Sequence, residues 1–134
     1  MVNQKPYTKN QSHNLKTKND FRERCFKYSL SIIRFIETLP EKRTYRILSD
    51  QLLRSSTSIG ANFVEAKAAS SKKDYIKYFE IALKSANESL YWLELLRELL
   101  TADKVEINRL LLETQEIANI IGASLLTMKK KNNI

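Results

Sequence analysis

Apolar residues return at alternating steps of four and three along four successive stretches of this chain, a heptad rhythm that suits helices packed along their lengths. The first seam reads Phe21, Cys25, Tyr28, Ile32, Phe35 and Leu39. The second reads Tyr45, Leu48, Leu52, Ser55, Ile59, Asn62, Ala66 and Ala69, and the third Tyr75, Phe79, Ala82, Ala86, Ser89, Leu93, Leu96 and Leu100. Ile107, Leu110, Thr114, Ile117, Ile121, Ser124 and Met128 form the fourth. Only two Gly and two Pro occur in 134 residues, too few to punctuate the turns of a sheet protein. The expected fold is therefore all-α: an antiparallel, up-down-up-down four-helix bundle with short polar connections.

Local signals divide the seams. Asn19 or Asp20 can cap the start of the first helix, and Pro40 disfavours helix in Leu39 and so ends it. The second helix is expected to start between Glu41 and Tyr45 and to reach about Ser70. Ser71, with Asp74 three residues on, resembles a capping box and opens the third helix, which runs to about Leu100. Asp103 and Glu106 repeat that signal for the fourth. Residues 1–18 are read as a basic, mobile arm, 19–128 as the bundle, and 129–134 as a basic tail, because Lys- and Asn-rich segments bury too little to offset ordering.

The net charge of +8 is unevenly spread. Lys5, Lys9, Lys16, Lys18, Lys129, Lys130 and Lys131 supply seven of the eight, leaving 16 basic and 15 acidic side chains in the body. Such tails favour anionic partners. Within the body, Arg43 and Arg46 on the second helix and Lys67, Lys72, Lys73 and Lys77 around the next turn are suited to phosphate contacts. Asp50, Asp74, Glu80 and Glu88 interrupt this series, and Tyr75 and Tyr78 suit a core or interface as readily as base stacking, so a solvated charged face is the competing reading.

The run Gln51–Ala66 keeps its helical rhythm through residues that individually disfavour helix. Ser55, Ser58, Gly60, Ala61 and Asn62 surround Ile59 and Phe63 with small or polar groups, which predicts close approach between helices. Gln51, Arg54, Ser58, Asn62 and Glu65 recur at steps of three and four as a polar stripe. If buried, the stripe needs partners, and Asn87, Glu88 and Ser89 on the third helix offer them. A hydrogen-bonded network that sets register and a ligand site are both open readings. Phe26, Ile33, Leu53, Phe63, Trp92, Leu95, Leu111 and Leu112 fall outside the seams, and that surplus of apolar surface predicts a homo-oligomer.

No constellation for catalysis emerges. His13 has no second histidine or cysteine at ligand spacing, and Cys25 between aromatic neighbours suits packing better than reactivity. Glu65 and Glu88 as an acid–base pair would need a cleft that nothing in the pattern specifies. Gly60 and Gly122 each stand alone, so there is no phosphate-cradling loop. The expectation is a protein without enzymatic activity, metal or cofactor. One cysteine, a polar start and short apolar runs further predict a cytoplasmic protein with no membrane segment.

Two segments together, Gln51–Ala66 and Ile81–Leu96, resemble the bacterial four-helix-bundle family linked to intervening sequences in 23S ribosomal RNA genes. The resemblance covers about residues 21–125, and Ser58, Ile59, Asn62 and Glu65 match the family's Ser-Ile-x-x-Asn-x-x-Glu pattern. Ala66 stands where many members have Gly. The resemblance implies a ring-like homopentamer. It also implies nucleic-acid binding, since a related branch includes the accessory variability determinant protein of diversity-generating retroelements, which binds nucleic acid and a reverse transcriptase. The functional expectation is a non-enzymatic, homo-oligomeric helical scaffold that binds RNA or DNA through basic tails and helix ends. The alternative is an adaptor that recruits another protein through the apolar surface of the oligomer.

Overall fold

The computed structural model describes the backbone of residues 9–132 and the side chains of residues 20–131. Four helices make up the fold: α1 (Lys9–Glu37), α2 (Arg43–Lys67), α3 (Lys72–Leu99) and α4 (Val105–Asn132). No strand occurs among the described residues. At 25 to 29 residues each, they extend about 37 to 44 Å at the usual helical rise. Their apolar seams meet in one core. Ile32, Leu52, Ile59, Leu93, Leu96, Ile107, Leu110, Ile117 and Ile121 are fully buried, and each such side chain stabilises the fold by roughly 1.5–3 kcal/mol.

Helix boundaries follow local chemistry where a clear cap exists. The Ser71 hydroxyl accepts the Asp74 N–H at 3.1 Å, and Asp103 Oδ1 accepts the Val105 N–H at 3.0 Å. Three boundaries differ from expectation. The first helix starts at Lys9 and not at Asn19, so residues 9–18 share the backbone of α1. No Gly or Pro lies between Lys9 and Asp20, and Asn or Asp inside a helix costs only a fraction of a kcal/mol, so the helix passes through them. Likewise α4 continues through Lys129, Lys130 and Lys131, which form its last turn, where the helix dipole favours cations. The second helix stops at Lys67, three residues short of Ser70.

The core also corrects the second seam. Phe63, outside the strict heptad, is 4% exposed, whereas its seam neighbour Asn62 is only half-buried. Core-facing helices of a bundle bury a stripe wider than a two-stranded coil does, and the larger ring takes the inner place. Of the other off-seam residues, Trp92, Leu95 and Leu111 are half-buried, while Phe26, Ile33, Leu53 and Leu112 are exposed.

Aromatic and hydroxyl contacts order the helices. Phe21, Phe63 and Phe79 form an edge-to-face chain across α1, α2 and α3, with ring centroids 4.9 and 5.7 Å apart. From that end, the α2–α3 pairs run Ser58–Ser85, then Ser55–Ser89, then Tyr45 to the Leu99 carbonyl. α2 numbers fall as α3 numbers rise. Between α1 and α2, a Cβ placed on Gly60 would stand 3.2 Å from Cys25 Cβ, so the absent side chain is what permits this approach. Gly122 has no such neighbour within 4 Å. α1 meets α4 through Tyr28 and Thr114, whose buried hydroxyls are 2.6 Å apart, and through Arg24, which bonds Glu113 at 2.7 and 2.8 Å and Glu116 at 3.0 Å.

Candidate nucleic-acid interface

The basic residues of the body expected to meet phosphate divide between two ends. At the first, the close of α2, the opening of α3 and the close of α4 come together, as the Lys67–Tyr75 and Lys129–Glu80 contacts show. Lys67, Lys72, Lys73, Lys77, Lys130 and Lys131 are exposed there, and none of them makes an ion pair among the described residues. Lys129 alone of this group is paired, with Glu80 at 3.0 Å. Lys72 and Lys73 occupy the first turn of α3, where the helix dipole opposes positive charge. That placement costs each on the order of 0.3–1 kcal/mol. Asp74, in the same turn, offsets part of that cost.

Arg43 and Arg46 lie at the other end. Twenty-four residues of α2 separate Arg43 from Lys67, about 36 Å along the axis, which is several screening lengths at physiological salt. Arg46 lines a cleft with Glu37, Glu41 and Asp50. Arg43 and Arg46 make no ion pair among the described residues either, so the two groups of expected phosphate contacts differ in the carboxylates that line the cleft of Arg46. Lys5 lies outside the described residues, as do the side chains of Lys9, Lys16 and Lys18.

The polar stripe is mostly a network between α2 and α3. Arg54 donates to Gln51 Oε1 at 2.9 Å and pairs with Glu88, whose Oε2 also accepts the Trp92 indole N–H at 2.8 Å. The indole first, and then Arg54, holds the Glu88 carboxyl below the usual carboxylate range. Asn62 bonds within its own helix, to the Ser58 carbonyl and hydroxyl, both at 2.8 Å. The link across to α3 comes from Ser58 to Ser85 at 3.0 Å and from buried Ser55 to Ser89 at 2.8 Å. Of the cluster expected on α3, Glu88 and Ser89 take part, and Asn87 is exposed. Glu65 is exposed too. Every buried side-chain polar atom among the described residues has a partner, so the network around the stripe leaves no buried group unsatisfied.

Among the described residues, the one cysteine is buried. Burial pushes the Cys25 thiol up to about 12, far from the range of a reactive thiolate. Among the described residues, no group of three His, Cys, Asp or Glu side chains could hold a metal ion, and no helix is long and apolar enough to cross a membrane. What sequence reasoning missed is an aromatic-lined cavity at the basic end. Lys67 Nζ sits there 5.2 Å from the Phe63 ring, 5.1 Å from Tyr75 and 5.9 Å from Phe79, and donates to the Tyr75 hydroxyl at 2.6 Å. The one available signal was the spacing of Lys67 from Phe63 and of Tyr75 from Phe79, each a single helical turn.

Residues 17–123 match the family described as 23S rRNA-intervening sequence protein. The chain belongs to that family. Both segments that carried the resemblance, Gln51–Ala66 and Ile81–Leu96, fall inside the match, as do Lys67, Lys72, Lys73 and Lys77. Lys129, Lys130 and Lys131 fall outside it. Among solved structures, this chain is similar to a protein of unknown function from the S23 ribosomal protein family of Bacteroides thetaiotaomicron. The two are 32% identical with a TM-score of 0.74, over 81% of this chain and 96% of that one. No curated protein matches the chain.

Proposed function

We propose that this protein is a non-enzymatic, homo-oligomeric helical scaffold that binds RNA or DNA through its basic end. The carrying observation is the group of exposed lysines without carboxylate partners, two of them in the first turn of α3. Side chains held against a helix dipole and left unpaired are ready to exchange counterions for phosphates. The buried thiol of Cys25 accords with a reducing cytoplasm.

In this reading the subunit is an antiparallel, up-down-up-down bundle, as the falling and rising numbers of the α2–α3 pairs suggest, and five subunits close into a ring. Two separate apolar faces support the assembly. Phe26 and Val64 share one cleft across α1 and α2, while Val105, Leu112 and Leu126 recur at multiples of seven on α4. Phe26, Val105, Leu112 and Leu126 are each between 64% and 71% exposed. Two different faces on one subunit suit a head-to-tail contact, and such contacts close into rings when the rotation allows.

Light scattering, together with RNA-binding titrations over a salt series, tests the proposal. A mass several times 15.6 kDa and a steep fall of affinity with salt are the expected results. A monomer at micromolar concentration would remove the scaffold. The exposed apolar residues also support the second reading, a protein adaptor, which salt-insensitive capture of a protein partner and no RNA binding at low salt would favour.

A further inference from the structure

The cavity at the basic end has a volume of about 440 Å³, within the range of roughly 300–1,000 Å³ typical of small-molecule sites. All four helices build it. Phe21 comes from α1, Phe63 and Lys67 from α2, Tyr75 and Phe79 from α3, and Met128 from α4. Tyr75 and Phe79 stack with centroids 5.0 Å apart, and Tyr75 and Phe21 are only half-buried, so aromatic surface reaches the opening. Ser124 and Thr127 add hydroxyls to the wall, and the exposed Lys67, whose ammonium lies over the Phe63, Tyr75 and Phe79 rings, must swing outward to the lip for a base to enter.

We propose that this cavity is a nucleotide pocket, which holds one unpaired base of a single strand against its aromatic wall while Lys67 meets the adjoining phosphate. The proposal rests on the nucleic-acid reading above and narrows it from general anion attraction to a site for one base. Charge sets this cavity apart from its neighbours. The cleft between α1 and α4 includes Asp20, Glu23 and Glu113, and those at the other end include Glu37, Glu41 and Asp50 or Asp103 and Glu106. No carboxylate lines the aromatic cavity. A cleft beside Cys25 also lacks acids, but at about 220 Å³ it is below the usual size of a ligand site.

The combination of groups selects the ligand class. An apolar side chain from a protein would use the rings and leave the lysines idle, whereas a bare phosphate would use the lysines and leave the rings idle. A nucleotide uses both, and Lys72, Lys73, Lys130 and Lys131 around the same end can follow the strand beyond it. A base inside a duplex is paired and stacked, so only a single strand, loop or bulge can place one in the pocket.

Met128 provides a direct test, because it lines the cavity and Met1 is the only other methionine. Full-length protein with carbon-13-labelled methionine methyls is titrated with a short oligouridylate, an abasic strand of the same length, an RNA duplex and an apolar peptide. Anisotropy reports in parallel whether each nucleic acid binds. The Met128 methyl should shift with oligouridylate and stay in place with the duplex and the abasic strand. Thr127→Trp, at an exposed position that can fill the cavity, should weaken oligouridylate on the order of tenfold and spare the duplex. Lys67→Met checks the lip by a second variant and should reproduce the loss without adding bulk. If oligouridylate binds and Met128 does not move, or moves equally with the abasic strand, the pocket is overturned and the nucleic-acid reading stands. If oligouridylate fails to bind at low salt, both fall. A Met128 shift with the peptide alone would overturn the pocket in favour of a protein ligand.

Discussion

Both ends of the bundle carry cationic side chains, and they use them differently. At the end where α2 closes and α3 opens, lysines stand unpaired around an aromatic cavity. At the other, Arg46 shares its cleft with Glu37, Glu41 and Asp50, and Arg109 bonds Glu106 at 3.0 Å. A cation whose field is already answered by a neighbouring carboxylate has little to offer a phosphate, and one left alone has a great deal. Position within the fold, more than the total of +8, therefore decides where an anionic chain would bind.

The largest expected effect separates the ends directly. Replacing Lys67, Lys72 and Lys73 together by Glu should weaken RNA binding on the order of 100-fold at moderate salt and reduce the logarithmic salt slope by roughly 2 to 3. Arg43→Glu with Arg46→Glu should leave both within about threefold of the parent. Equal losses from the two sets, measured by anisotropy across a salt series, would erase the distinction between the ends.

Caps offer a control that changes stability at each end without touching the lysines. Ser71→Ala at the basic end and Asp103→Ala at the balanced end should each cost about 1 kcal/mol in denaturant unfolding. Neither should change the salt slope of RNA binding. A slope that falls only with Ser71→Ala would mean that the basic end acts through the order of α3 and not through its charge.

Acid should produce the smallest difference. Arg109, chiefly by its hydrogen bonds, holds Glu106 below the usual carboxylate range at the balanced end, and Arg24 does the same for Glu113 farther along α4. Each depressed carboxyl contributes stability that is complete above its unfolded value of about 4.3 and is lost as pH falls through the lower folded value. Hydrogen-exchange protection, relative to the intrinsic rate at each pH, should therefore fall first in the first half of α4 below about pH 4. A uniform loss of protection along α4 would show that these pairs do not hold that half in place.

Helix type, number and core were legible because the heptad period is a local signal that packing reinforces. Cys25, Ile32, Leu52, Ile59, Leu93, Leu96, Ile117 and Ile121 all went from seam to core. Phe63 and Asn62 were misassigned because a strict heptad cannot show which of two adjacent residues faces inward when the buried stripe is wide. The starts of α1 and α3 illustrate the limit of capping signals: Ser71 has only a short connection before it, whereas Asn19 follows ten residues that can themselves be helical. The division of basic residues was hidden for a different reason. Arg43 and Lys67 belong to one helix, and only the partners met at its two ends make their surroundings unlike. The cavity was hidden more deeply, since its walls come from positions as distant in sequence as Phe21 and Met128.

Cys25 makes the contact between α1 and α2 an internal gauge of breathing. Its Cβ would stand 3.2 Å from a Cβ on Gly60, burial raises its thiol to about 12, and it is the chain's single cysteine. A thiol reagent can reach it only when these two helices part, so under native conditions the labelling rate counts openings. The molecule thus carries its own stopwatch for the transient separation of α1 from α2, which needs no introduced probe.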